Sequence, residues 1–131
     1  MYNCEYKYEG RNVKLLRSPV EASNLSRRSM VRAMEHIKIV TMAPELEGAT
    51  EAIEGLCEQG IVVSAGYSTT AVDQALGDVE AGVTMVTHMF NAMYSFHHRD
   101  PGIVGLLGKS IDNLFYGLIV DGIHCDSIPI A

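Results

Sequence analysis

From His36 onward, short unbroken hydrophobic runs alternate with stretches of helical spacing. His36-Ile-Lys-Ile-Val-Thr-Met-Ala43 is rich in β-branched residues and stops at Pro44, which predicts a strand. Glu47 to Gln59 carries Ala49, Ala52, Ile53, Leu56 and Cys57 at helical spacing, with Gly60 as the stop. Ile61-Val-Val-Ser-Ala65 predicts a short buried strand. Ser68 or Thr69 is placed to cap a helix bearing Ala71, Val72, Ala75, Leu76 and Val79, which ends at Gly82. Val83-Thr-Met-Val-Thr-His88 predicts the third strand. A long loop then passes through Asp100-Pro101-Gly102, and Leu114-Phe-Tyr-Gly-Leu-Ile-Val120 predicts the fourth strand.

Continuous apolar strands separated by helices mean parallel βα units. Two architectures fit: an open, doubly wound sheet, or part of a (β/α)8 barrel. The 131 residues fall short of the roughly 250 of a closed barrel, so length alone favours the open sheet. A glycine-rich phosphate loop would support a nucleotide site. Gly102-x-x-Gly105 is not one, because it precedes no clear helix and lacks the fingerprint spacing.

Charge divides the chain. Residues 1–35 hold seven basic and four acidic side chains, a net of +3, whereas residues 36–131 hold three basic and twelve acidic, a net of −9. The first 35 residues are therefore a separate N-terminal segment, and residues 36–131 the main domain. The basic segment fits a binding arm, or a solvated leader with a helix from about Glu21 to Glu35 packed on the domain; the second is preferred. Net acidity argues against a nucleic-acid partner. The longest apolar stretches, such as Leu114 to Val120, are far short of the ~20 residues of a membrane span. The N-terminus shows no apolar core of a secretory signal. Cys4, Cys57 and Cys125 share no CxxC spacing, so a reducing, cytoplasmic setting is expected.

Ligands of parallel sheets bind beyond the C-terminal ends of the strands. Glu45, Tyr67, His88, Asp121 and His124 fall at those ends. His88, leaving an apolar strand, suits either a metal ligand or a core imidazole satisfied by a carbonyl. His97-His98-Arg99-Asp100 suits an anion gripped by the Arg99 fork, or a solvated loop. Met85, Met89 and Met93 are spaced by four, and core packing explains them better than a cofactor box.

Five segments then combine in order: Thr41-Met-Ala-Pro-Glu45, Gly60-Ile-Val-Val-Ser-Ala-Gly-Tyr-Ser68, Ala81-Gly-Val-Thr-Met-Val-Thr-His-Met-Phe-Asn-Ala-Met93, His97-His-Arg-Asp-Pro-Gly-Ile-Val-Gly-Leu-Leu107 and Asp121-Gly-Ile-His124. Together they resemble the N-acetylglucosamine-6-phosphate deacetylase family of metal-dependent amidohydrolases, its animal branch most of all. The resemblance spans about residues 36–131, the middle of a longer family sequence. It implies an α/β fold, a partial (β/α)8 barrel of about four parallel βα units with Tyr67, His88 and His124 on one rim.

It also implies hydrolysis of N-acetylglucosamine 6-phosphate to glucosamine 6-phosphate and acetate, a divalent metal (zinc) and a family homodimer. By the same resemblance His88 matches a metal-binding histidine. Asn91 and the Ala92 N–H match the holders of the sugar phosphate. Arg99 matches an arginine that reaches the phosphate of the neighbouring subunit, and His124 a substrate contact. Tyr67 stands where the family has its other metal-binding histidine. The family's His-Leu-Glu-Gly-Pro and Val-Thr-Asp-Ala motifs, which carry the metal-binding glutamate and the general acid/base aspartate, do not occur in these 131 residues. No catalytic residue is therefore assigned here. A catalytically inactive relic or a sugar-phosphate-binding fragment is the alternative to an active deacetylase.

Overall fold

The structure, a computed structural model, describes residues 36–126. The N-terminal segment 1–35, with its expected helix from Glu21 to Glu35, lies outside the described residues. Four strands form one sheet: β1 (Ile39–Met42), β2 (Val62–Ala65), β3 (Met85–Val86) and β4 (Phe115–Tyr116). Helix α1 (Ala49–Glu58) joins β1 to β2, and α2 (Val72–Ala81) joins β2 to β3. A 3-10 helix (Gly102–Gly108) precedes β4. Sequence spacing predicts loop there, because its hydrophobic residues follow a Pro-Gly turn and fit neither the strand nor the α-helical period.

All three strand pairs are parallel, and the strands lie in the order β1-β2-β3-β4. That order corrects the open-sheet expectation drawn from length. A doubly wound sheet reverses direction and so places helices on both faces. Here each crossover advances one strand the same way, which keeps every helix on one side. Accordingly α1 packs on α2, and α2 on the 3-10 helix. The fold is a four-unit part of a (β/α)8 barrel.

Registers divide the sheet into two faces. Val40, Met42, Val63, Ala65, Val86 and Tyr116 share the helix-covered face, where Val63 and Val86 are fully buried. Ile53 of α1 packs into the same core, with Ala75, Met89, Met93, Ile103, Val104 and Leu106. Each such aliphatic side chain contributes about 1.5–3 kcal/mol on burial. The Tyr116 hydroxyl donates to the Leu106 carbonyl at 3.0 Å, tying β4 to the 3-10 helix. Met89 and Met93 are core, as spacing suggested, whereas Met85 is half-buried and lies on the opposite face.

Helix ends follow local chemistry. Gly60 (φ 73°) closes α1, its N–H donating to the Cys57 carbonyl at 2.9 Å. Gly82 ends α2 at φ 124°, and a Cβ there would sit 2.7 Å from Cys57 Sγ, so only glycine fits. The expected cap of α2 by Ser68 or Thr69 is not formed. Both hydroxyls bond to Glu45, so the helix begins at Val72, whose N–H donates to Asp100 Oδ1 at 3.3 Å. The third and fourth strands are also shorter than their apolar runs. Beyond Gly117, Leu118, Ile119 and Val120 continue exposed and outside any strand, because β4 has a neighbour on one side only.

Candidate functional site at the strand ends

In an all-parallel sheet the C-terminal strand ends share one rim, and the expected residues gather there. Tyr67 follows β2 by two residues and His88 follows β3 by two. Their rings meet edge to face, centroids 4.5 Å apart at 83°. Gly66 makes this approach possible: a Cβ at that position would collide with Thr87 Cγ2 and touch His88 Cε1 and Thr41 Cγ2, each at 3.4 Å. Three strands thus converge on one residue without a side chain.

Backbone strain marks the same place. Tyr67 (φ 55°), His88 (φ 39°), Phe90 (φ 72°) and Ala92 (φ 50°) all occupy the left-handed region without being glycine. Such residues cost on the order of 1–3 kcal/mol each and concentrate where a site over-determines the backbone. His88 carries a second mark. Both its ring nitrogens are buried without a hydrogen-bond partner. Among the described residues no carbonyl satisfies either nitrogen, as a core histidine would require. An unpartnered, buried imidazole is the donor a metal ligand needs. Among the described residues no group of three or more His, Cys, Asp or Glu is placed to hold a metal ion. The imidazole fits as one ligand, and these residues do not complete a site.

The loop after His88 is tied at both ends. Met89 N–H donates to the Gly117 carbonyl at 2.8 Å, and Asn91 N–H to the His88 carbonyl at 2.8 Å. The Asn91 amide reaches the Met89 carbonyl at 3.3 Å and lies 3.8 Å from Cys125 Sγ. Buried Cys125 also lies 3.8 Å from the Met89 carbonyl, so the turn bearing His124 folds back onto the Asn91 loop. Asp121 shapes that turn. Its Oδ1 accepts the Ile123 and His124 N–H groups, each at 2.9 Å, and its Oδ2 meets His124 Nδ1 at 2.7 Å. The His124 and Ile123 amides, then the His124 ring, hold the Asp121 carboxyl down to about 2.

Arg99 is exposed, and its side chain makes no ion pair among the described residues. Its N–H donates to His97 Nδ1 at 3.3 Å, and the His97 and His98 rings stack with centroids 4.4 Å apart. Asp100 anchors this loop by accepting the Val72 and Gly102 N–H groups.

Of three tethers, Glu45, Asp100 and Cys125, the roles of the first and last escape sequence reasoning. Glu45 falls at a strand end by spacing, which suggests a ligand contact. Instead Oε2 accepts from Ser68 Oγ at 2.7 Å, and Oε1 accepts from the Thr69 N–H at 2.7 Å and its hydroxyl at 3.1 Å. It is the clamp of the turn that presents Tyr67. Asp-Pro-Gly at 100–102 is a turn signature in which Asp100 was legible as a backbone acceptor. Nothing in the sequence signals the Cys125 contact.

No family model matches the chain. It is similar to the N-acetylglucosamine-6-phosphate deacetylase of Caenorhabditis elegans, 53% identical over 94 residues, covering 69% of this chain and 22% of that protein. The same enzyme of Danio rerio is 48% identical over 98 residues, covering 70% and 24%. Among solved structures, a mutant Mycobacterium smegmatis N-acetyl-D-glucosamine-6-phosphate deacetylase in complex with N-acetyl-D-glucosamine-6-phosphate is 39% identical. It covers 67% of this chain and 23% of that one, with a TM-score of 0.63. The chain therefore spans roughly a quarter of the length of the relatives it matches.

Proposed function

We propose that this chain, homologous at 53% identity to part of N-acetylglucosamine-6-phosphate deacetylase, is a segment of that hydrolase and supplies the side of its site that grips the sugar phosphate. The supporting observation is the convergence on one rim of His88, the Asn91 loop and the His124 turn, joined through Cys125. Asn91 and the Ala92 N–H hold the phosphate, and His124, oriented by Asp121, contacts the sugar. Exposed Arg99 offers its bidentate fork to the phosphate of a neighbouring subunit in a homodimer. His88 is one ligand of a divalent metal, and zinc suits an imidazole donor. One ligand does not hold the ion, so hydrolysis of the acetamide lies beyond the described residues. Free Cys57 and Cys125 agree with a cytoplasmic setting. No helix among the described residues is long and apolar enough to cross a membrane.

A second reading, a sugar-phosphate-binding chain without catalysis, is favoured by Tyr67. A neutral phenol is a poorer metal donor than an imidazole. One titration tests the shared premise and separates the readings. Millimolar N-acetylglucosamine 6-phosphate should shift the backbone resonances of Asn91, Ala92 and His124, while N-acetylglucosamine without phosphate should not. No acetate should appear in the same tube. Absence of shifts sinks the sugar-phosphate assignment; acetate release removes the second reading.

A further inference from the structure

A neutral imidazole has one N–H and one bare nitrogen, and its neighbours decide which is which. Around Asp121 that choice is made. Its Oδ1 accepts the Ile123 and His124 N–H groups at 2.9 Å each, which leaves Oδ2 for the His124 ring at 2.7 Å. Asp121, its carboxyl held down at about 2, is ionised and has no proton to give. The shared proton therefore sits on His124 Nδ1, and Nε2 keeps its lone pair. His97 is set the other way. Its Nδ1 accepts the Arg99 N–H at 3.3 Å, so its own proton lies on Nε2. Both arrangements are local, closed within two or three residues of the ring.

We propose that Asp121 is a positioning residue that fixes His124 as a hydrogen-bond acceptor, and that His124 Nε2 accepts a hydrogen bond from a ring hydroxyl of the sugar phosphate. Resting on the sugar-phosphate assignment, this names the group that His124 meets. The phosphate dianion and the acetamide carbonyl only accept, and a bare Nε2 offers neither of them a proton. The ring hydroxyls and the acetamide N–H donate. The acetamide is the group that reacts, and in that assignment it lies toward His88. The His124 turn is bound instead to the Asn91 loop, because Cys125 Sγ lies 3.8 Å from both the Met89 carbonyl and the Asn91 amide. On that phosphate-gripping side the donor left for Nε2 is a ring hydroxyl.

Nitrogen-15 NMR of the histidine rings in the 131-residue chain tests it, at about pH 8, where an imidazole is ordinarily neutral. Ring nitrogens with and without a proton resonate far apart, so each tautomer is read directly. His124 should carry its proton on Nδ1, and His97, in the same spectrum, on Nε2. Millimolar N-acetylglucosamine 6-phosphate should shift His124 Nε2 and leave it unprotonated. Glucose 6-phosphate, which keeps ring hydroxyls and has no acetamide, should do the same.

Asp121→Asn separates positioning from folding. The side-chain oxygen still accepts the two backbone N–H groups, so the turn and its amide resonances are kept. The side-chain NH2 then faces the ring and donates to Nδ1, which moves the ring proton to Nε2. The dissociation constant for the sugar phosphate should rise about tenfold, through one lost hydrogen bond and the mismatched donor in its place. Should this variant lose the turn, the wild-type ring decides alone. A His124 with its proton on Nε2, or on both nitrogens, overturns the proposal. So does protonation of Nε2 on binding, which assigns that nitrogen to the phosphate or the carbonyl. A shift that glucose 6-phosphate fails to produce assigns it to the acetamide N–H and overturns the proposal too. So does unchanged affinity in Asp121→Asn with the tautomer inverted. Silence of His124 towards both sugar phosphates, with its Nδ1 protonated, removes the sugar contact itself, and the proposal falls together with the assignment it rests on.

Discussion

Asp78 is the residue whose chemistry is most at odds with its surroundings. It lies on α2, is 3% exposed, and its Oδ2 has no hydrogen-bond partner. Burial first, and the negative charge of Glu45 second, push its carboxyl from 3.8 up to about 6. The folded chain therefore holds this proton more tightly than the unfolded chain does. Its contribution to stability is full below pH 3.8 and declines as pH rises towards 6, by on the order of 1–3 kcal/mol. Asp121, held at about 2, acts in the opposite sense and only below that window. Asp78→Asn should flatten the decline, measurable as denaturant midpoints between pH 4 and pH 7. An unchanged slope would mean that Asp78 is solvated. Glu45 gives a second prediction at this scale. Glu45→Ala removes the acceptor of three hydrogen bonds, two from Thr69 and one from Ser68. Thermal unfolding should show a loss of about 2 kcal/mol.

Among the elements, those with a clean period were legible and those bounded by tertiary contacts were not. β1, α1, β2 and α2 lie within the expected spans, since their apolar residues repeat at one spacing between Pro44, Gly60 and Gly82. The third and fourth strands each shrank to two residues, because strand length depends on a neighbour that the sequence does not display. The start of α2 departs from the local signal because Ser68 and Thr69 are good caps by type, and Glu45, more than twenty residues away, takes them first. His88 and its loop were legible as strand-end polar residues, whereas the positive φ values that shape them were not. Gly66 links element to site. Gly66→Ala drives a methyl into Thr87, a stiff β-branched side chain next to His88. The variant should unfold at about 1–3 kcal/mol lower stability. In a proton spectrum the Tyr67 and His88 rings should lose their mutual shielding. Wild-type stability in Gly66→Ala would show that the rim yields freely.

At the scale of the whole molecule, the chain is one helix-covered sheet whose rim carries the Asn91 loop, the His124 turn and a His88 ring whose nitrogens have no hydrogen-bond partner among the described residues. Under the proposed function the phosphate-gripping side and the hydrolytic chemistry lie on different segments, with Tyr67 at the join. The most direct test restores what surrounds it. Residues 36–126 would replace the matching segment of the C. elegans deacetylase, and acetate release from N-acetylglucosamine 6-phosphate would be measured with and without Tyr67→His. The account predicts a folded chimera that is nearly inactive with Tyr67 and gains about 100-fold or more in turnover with histidine, the cost of a missing metal ligand. A folded chimera that stays inactive with histidine would contradict the segment assignment. Full activity with Tyr67 in place would contradict the role given to that position.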